Sequence, residues 1–288
     1  MTVLRYARED RENLAAVLSR AIAKVGKPAV AVLVCNGAGS ASWILPGLDG
    51  MKIPYAAGGR WLFVVHPWMR PFLLGLKGLA DDDPLGVACL LRRPFFPLSL
   101  EERVGRVVAP RQMSQASAEA WEAARECLRK LRVRANQGAP GAAALALAEQ
   151  TAFLSHPTFF GSNREIEREM FWALLSVIER EAWNAGSDLM SFAPTLRSWL
   201  SDPAGLAAKL NTDARPGILR LLAYEELRSQ ETVDVLAVTN GKDGPSQILW
   251  SLRGDGWVRL ARDSVSGSVD LRIANALIVS DEGPGSSA

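Results

Sequence analysis

Two histidines, His66 and His156, are all the imidazole chemistry this chain has, and each stands directly before a proline. Imidazole is the side chain best suited to proton transfer near neutral pH. A histidine metal site would need both rings plus carboxylates, and the tripeptides HPW and HPT lack a ligand spacing such as H-x-x-x-H, so no metal is expected. His156 lies in SHPTFFGSNRE, where Gly161 loosens the loop and Asn163 and Arg164 open a predicted helix. Free amides at a helix start bind anions. His156, Asn163 and Arg164 are therefore the catalytic candidates, with Asp81-Asp82-Asp83 as a second wall if the site is assembled from distant residues. The three acids have the composition of a magnesium cluster, but Pro84 follows at once, and acids before a proline more often form an exposed turn.

G-x-S-x-G is absent, and so is the Gly-Lys-Ser/Thr ending of a P-loop. The stretch AVAVLVCNGAGSASWILPG, 29–47, comes nearest to G-x-G-x-x-G: Gly37 and Gly39 fit, but Ser42 holds the third position. Pro46-Gly47 would interrupt a helix starting there, and Asn-Gly between apolar runs is a hairpin signal. The expectation is a turn at Asn36–Ser40 pairing strands 29–35 and 41–45, and no nucleotide or other cofactor.

Two segments could bind macromolecules. RECLRKLRVRA carries Arg125, Arg129, Lys130, Arg132 and Arg134. The C-terminal end of a helix explains two or three of these cations through the macrodipole, and the excess suggests an anionic or protein partner. In HPWMR, Trp68 and Arg70 are residue types enriched at binding hot spots.

The elements that would position these residues follow from periodicity and punctuation. Apolar residues at helical spacing predict a helix over 9–25, closed by Gly26. Short strands are expected at 29–34, 42–45, 52–55 and 60–65. A capping box, Ser99 to Glu102, opens a short helix to about 108, and 114–134 reads as a long helix with Trp121, Leu128 and Leu131 inward. Gly138-Ala139-Pro140-Gly141 reads as a linker, followed by an alanine-rich helix to about 154. A second capping box, Ser162 to Glu165, opens a helix over 163–185, with Ile166, Met170, Phe171, Leu174, Val177 and Ile178 as its apolar stripe. Ser201-Asp202-Pro203 is a cap with proline at the first helical position, and 216–228 reads as helix. After Gln230 the period changes to two, with strands at 232–239, 247–253, 256–261 and 269–273. The tail DEGPGSSA has no apolar content and is expected to be disordered.

The implied fold class is α+β: an N-terminal helix on an antiparallel meander (1–110), a helical region (111–230), a small antiparallel module (231–280) and a tail (281–288). Charge and cysteine usage narrow the function. With 33 basic and 31 acidic residues the net charge is +2, which gives no bulk attraction to nucleic acid or membrane. Three dispersed cysteines, Cys35, Cys89 and Cys127, suit free thiols in a reducing cytoplasm. The most apolar window, 61–80, carries His66, Arg70, Lys77 and two prolines, and so fails as a membrane span. The leading expectation is a cytoplasmic adaptor or accessory protein of a bacterial multiprotein system, acting by binding another protein rather than as an enzyme. The alternatives are an enzyme built around the 156–164 loop and a nucleic-acid accessory factor using the 125–134 helix end.

Overall fold

The structure is a computed structural model. It describes residues 1–7, 10–26, 28, 30–57, 59–81, 90, 95–96, 115–155, 157–160, 163–185, 188–210, 217–239, 248–262 and 267–280. The chain forms two compact units, one of residues 1–66 and 203–288 and the other Pro67–Asp202.

The first unit is built on one sheet of eight strands: β1 (Thr2–Tyr6), β2 (Ala31–Cys35), β3 (Tyr55–Ala57), β4 (Leu219–Ala223), β5 (Thr232–Thr239), β6 (Ile248–Gly254), β7 (Trp257–Arg262) and β8 (Ser268–Ser280). Its order is β3-β4-β2-β5-β8-β7-β6, with β1 also on β8. Every residue of β2, AVLVC, is buried. A continuous apolar run marks a strand covered on both faces, and such strands belong to parallel sheets; β2 pairs in parallel with both β4 and β5. Strand β8 is thirteen residues long and has two partners on one edge. Its first part pairs antiparallel with β7 from Ser268 to Arg272, and its last part pairs in parallel with β1 from Ala276 to Ser280.

Two helices cover one face of the sheet. α1 (Arg11–Val25) starts at Asp10, whose carboxylate accepts the Asn13 amide at 2.9 Å, and it ends at Gly26 with φ +85°. α2 spans Ala38–Gly50. Leu14, Leu18, Ile44 and Leu48 from these helices pack on Leu33, Leu221 and Ile278. The opposite face is apolar too: Val34, Leu236 and Leu277 pack with Val258, Leu260 and Leu271 of the β7–β8 hairpin. Full burial of each such side chain contributes roughly 1.5–3 kcal/mol.

This architecture overturns the α+β reading. Among the described residues there is no N-terminal antiparallel meander and no separate C-terminal sheet; strands from both parts of the chain share one mixed, mostly parallel sheet, an α/β fold. The expected hairpin at Asn36–Ser40 is instead a strand-to-helix turn, and the supposed strand 42–45 lies inside α2. Pro46 sits within that helix rather than ending it. Gly47 is where α2 meets α1: a Cβ there would stand 2.9 Å from the Arg11 carbonyl oxygen and 3.3 Å from Ala15 Cβ. The segment expected as strand 60–65 is a 3-10 turn, Gly59–Trp61, followed by the short α3 (Leu62–Val65). The predicted helix 216–228 is mainly strand β4, because Leu219 and Leu221 bury on the α1–α2 face while Leu222 buries on the other. Tertiary burial overrides helical propensity there. The strands expected at 232–239, 247–253 and 256–261 are present within a residue, and β6-β7-β8 is antiparallel, but β5 runs parallel to β8.

The second unit is helical. α4 (Met69–Asp81), α5 (Gln115–Gln137), α6 (Pro140–Gln150), α7 (Arg164–Ala185) and α8 (Leu189–Ser201) belong to it, and α9 (Pro203–Leu210) returns the chain to the first unit. The expected linker 138–141 opens α6, with Pro140 at its first turn. The helices expected at 114–134 and 163–185 are α5 and α7. The short helix expected near 99–108 and the tail 281–288 lie outside the described residues. An aromatic cluster fills the unit: Trp68 lies 5.8 Å from Phe153, 5.5 Å from Phe159 and 6.0 Å from Phe171 between ring centroids. Edge-to-face pairs at such distances add about 0.5–1.5 kcal/mol beyond burial.

Candidate functional site

Open α/β sheets bind ligands at the carboxyl ends of their strands, where neighbouring connections leave in opposite directions. Here that point falls between β2 and β5. The chain leaves β2 through α2 toward β3 at one edge, and leaves β5 toward β6 at the other. The two strand ends are joined by the Asn36 amide, which donates to the Thr239 carbonyl at 3.2 Å. Gly37 has φ +145°, a conformation that favours glycine, and α2 starts at Ala38. The Ala41 amide donates to the Gly37 carbonyl at 3.0 Å, closing the first helical turn. The amides heading that turn have no acceptor within the helix. A Cβ on Gly37 or Gly39 would meet nothing within 4 Å, so the loop faces open space. The side chains that close this edge are neutral and buried: Asn36, Ser40, Thr239 and Ser280. Cys35, the last residue of β2, is buried, and burial pushes its thiol up, which disfavours the thiolate. The arrangement suits an anion held by backbone amides at a helix start.

Asn163 is buried at the start of α7 and Arg164 is exposed beside it, while His156 lies outside the described residues. Asp82 and Asp83 lie outside them too, and Asp81 ends α4. On α5, Arg125 pairs with Glu122 at 3.6 Å, and Arg129 donates to both oxygens of Glu126 at 2.8 Å. Lys130 reaches the same carboxylate at 3.6 Å. Those hydrogen bonds hold the Glu126 carboxyl down at about 2, with the Arg129 contact the largest cause, and they raise Arg129. Arg132 is half-buried, and Arg134 lies in the last turns of the same helix. The basic stretch is thus interleaved with its own carboxylates at helical spacing. Arg70 is exposed on α4. Trp68 is not a surface anchor: it is 1% exposed, and its indole donates to Glu167 Oε2 at 2.6 Å. Its aromatic bulk went to the core of the second unit. Cys35 and Cys127 are free thiols; Cys89 lies outside the described residues. Among the described residues, no helix is long and apolar enough to cross a membrane.

The sequence reading missed a second feature. Trp172 and Trp183 stand on the side of α7 opposite its buried stripe and are 59% and 85% exposed. Eleven residues are three helical turns, so both indoles share one face, about 16 Å apart along the axis. Between them, Ser176, Glu179 and Arg180 line a shallow groove whose other wall is Gly141, Ala142 and Leu145 of α6. Small residues on α6 let the two helices meet closely: a Cβ at Gly141 would fall 1.9 Å from Glu179 Oε2. The eleven-residue spacing and the position off the apolar stripe were readable signals. Neither family models nor curated proteins match the chain.

Proposed function

We propose that the chain is an intracellular adaptor that binds another protein through the α6–α7 face of its helical unit. The observation that carries this reading is the pair of exposed tryptophans, Trp172 and Trp183, at the ends of one apolar groove. Large exposed apolar patches mark interaction sites, and tryptophan is the residue most enriched where binding energy concentrates. A groove three turns long with an aromatic at each end fits an amphipathic helix of the partner, anchored at two positions. The two free thiols support a reducing setting. The pairing of Arg125, Arg129 and Lys130 with Glu122 and Glu126 weighs against a nucleic-acid role.

The test is capture of partners from the native host by crosslinking, with wild type and a Trp172→Ala/Trp183→Ala variant side by side. The expected result is one partner lost selectively by the variant, with folding stability changed by no more than about 0.5 kcal/mol, as for ordinary surface substitutions. Equal capture by both proteins would sink the reading. A second reading is favoured by the β2–α2 turn: a small phosphate-bearing or carboxylate ligand at the Gly37–Ser40 amides, which would make the first unit a ligand-binding or catalytic module. Titration with inorganic phosphate, followed by amide shifts at Ala38, Gly39 and Ser40, distinguishes the two.

A further inference from the structure

Where β8 passes from one partner to the next, its edge has a gap. β7 covers Ser268–Arg272 and β1 begins at Ala276, so neither strand pairs with Ala274 or Asn275. α1 passes over this gap, and a pocket of about 440 Å³ lies between them. That size is within the range of small-ligand sites, roughly 300–1,000 Å³. Its walls are mainly apolar: Leu4 of β1, Val17, Ala21 and Val25 of α1, and Ala276 of β8. The alanines leave the room that larger side chains would fill.

The charge around this pocket has one sign. Among the described residues, Arg5, Arg20 and Lys24 line it, and no aspartate or glutamate does. Arg20 and Lys24 are exposed, four residues apart on α1, and among the described residues neither pairs with a carboxylate. Lys24 is in the last turn, where the helix dipole favours a cation. Arg20 is a turn earlier, and two like charges at this spacing weaken a helix slightly. On α5, Arg125 and Arg129 are each matched by a glutamate; on α1, Arg20 and Lys24 are not. An apolar cavity with Arg20 and Lys24 unpaired at its rim complements a molecule with an apolar body and an anionic head.

We infer that the α1–β1–β8 pocket binds a soluble amphiphilic carboxylate, with its hydrocarbon chain against Leu4, Val17, Ala21 and Val25 and its carboxylate at Arg20 and Lys24. The site is separate from the tryptophan face and from the β2–α2 turn, and it stands independently of either functional reading.

The experiment uses the full chain and three ten-carbon probes: sodium decanoate, decanol and decyltrimethylammonium, each titrated below its micellar concentration by calorimetry. Wild type is expected to bind decanoate saturably at one site. Arg20→Gln/Lys24→Gln, which alters only exposed side chains, is expected to weaken decanoate at least tenfold and leave decanol unchanged. Val25→Trp, which fills the cavity, is expected to abolish both. If that variant does not fold, the charge variant still decides. The inference is overturned by absence of saturable decanoate binding, by equal binding in the charge variant, or by equal affinity for the cationic probe. It is also overturned if decanoate does not bind while anionic phosphatidylglycerol vesicles do, since that result would mean a membrane-surface contact instead.

Discussion

Among single residues, Trp68 and Glu167 form a buried polar contact in the helical unit. Glu167 is 1% exposed, and the Trp68 indole donates to it at 2.6 Å inside the aromatic cluster. Trp68→Phe keeps a ring for the cluster and removes the donor. A buried acceptor that loses a partner costs about 1–3 kcal/mol, and that loss is expected in urea denaturation followed by far-ultraviolet circular dichroism. An unchanged midpoint would show that the contact is not formed. The thiols offer a second check. Burial raises both thiols, and Cys35 is buried whereas Cys127 is only half-buried. In native protein a thiol reagent is expected to modify Cys127 well before Cys35, since the thiolate is the reactive form. Acid sensitivity has a defined sign at Glu126. Its folded pKa of about 2 lies below the model-compound value of 4.5, so its pairing with Arg129 stabilises α5 above pH 4.5. That contribution is lost as pH falls toward 2. Glu126→Gln is expected to flatten the acid limb of helicity in this range, though only slightly, because the pair is exposed.

At the scale of elements, α2 shows how one residue type serves opposite ends. Gly47 has no room: the Arg11 carbonyl stands 2.9 Å from where its Cβ would be. That neighbour is backbone, so Gly47→Ala must push α2 away from α1, at a cost of about 1–3 kcal/mol. Gly39 in the first turn has open space around it, so Gly39→Ala is expected to be neutral or to stabilise by up to about 1 kcal/mol. Comparing the two thermal midpoints tests both statements, and a destabilised Gly39→Ala would mean the turn is not helical. The same element explains which parts of the fold were legible. α1, α5, α7 and strands β5 to β7 carry their period, caps and turn residues locally, so their patterns suffice. Pro46-Gly47 has the local chemistry of a helix stop, and only α1 packing against it shows that the glycine is an interhelical contact. Likewise β4 has a helical pattern until β2 and β3 flank it. Strand direction is set by which segments pair over 200 residues apart, and that leaves no local mark. The candidate sites divide the same way. The eleven-residue spacing of Trp172 and Trp183 is a local signal that the sequence reading missed, whereas the α1–β1–β8 pocket arises only where distant strands leave a gap.

For the whole molecule, the arrangement is one unit interrupted by another. Residues 67–202 are inserted between α3 and α9, and both apolar clusters of the sheet unit are composed of residues outside that insertion. Replacing 67–202 by about four glycine and serine residues is therefore expected to leave a folded α/β unit, with dispersed amide resonances and cooperative unfolding. A collapsed spectrum without dispersion would show that the insertion is needed for the sheet.

The pairing of β1 with β8 also fixes an order of events during synthesis. Thr2 lies opposite Ala276, so a strand made early waits for one made some 270 residues later. Until then β5 lacks its neighbour on that side, and α1 has only part of the surface it covers. The helical unit, complete once Asp202 has emerged, faces no such delay. Nascent chains are expected to carry a finished helical unit beside an unfinished sheet with apolar edges exposed. A stalled chain ending before Ser268 should be protease-resistant within 67–202 and cut readily within 1–66, a pattern that makes this half of the protein the natural client of a chaperone at the ribosome.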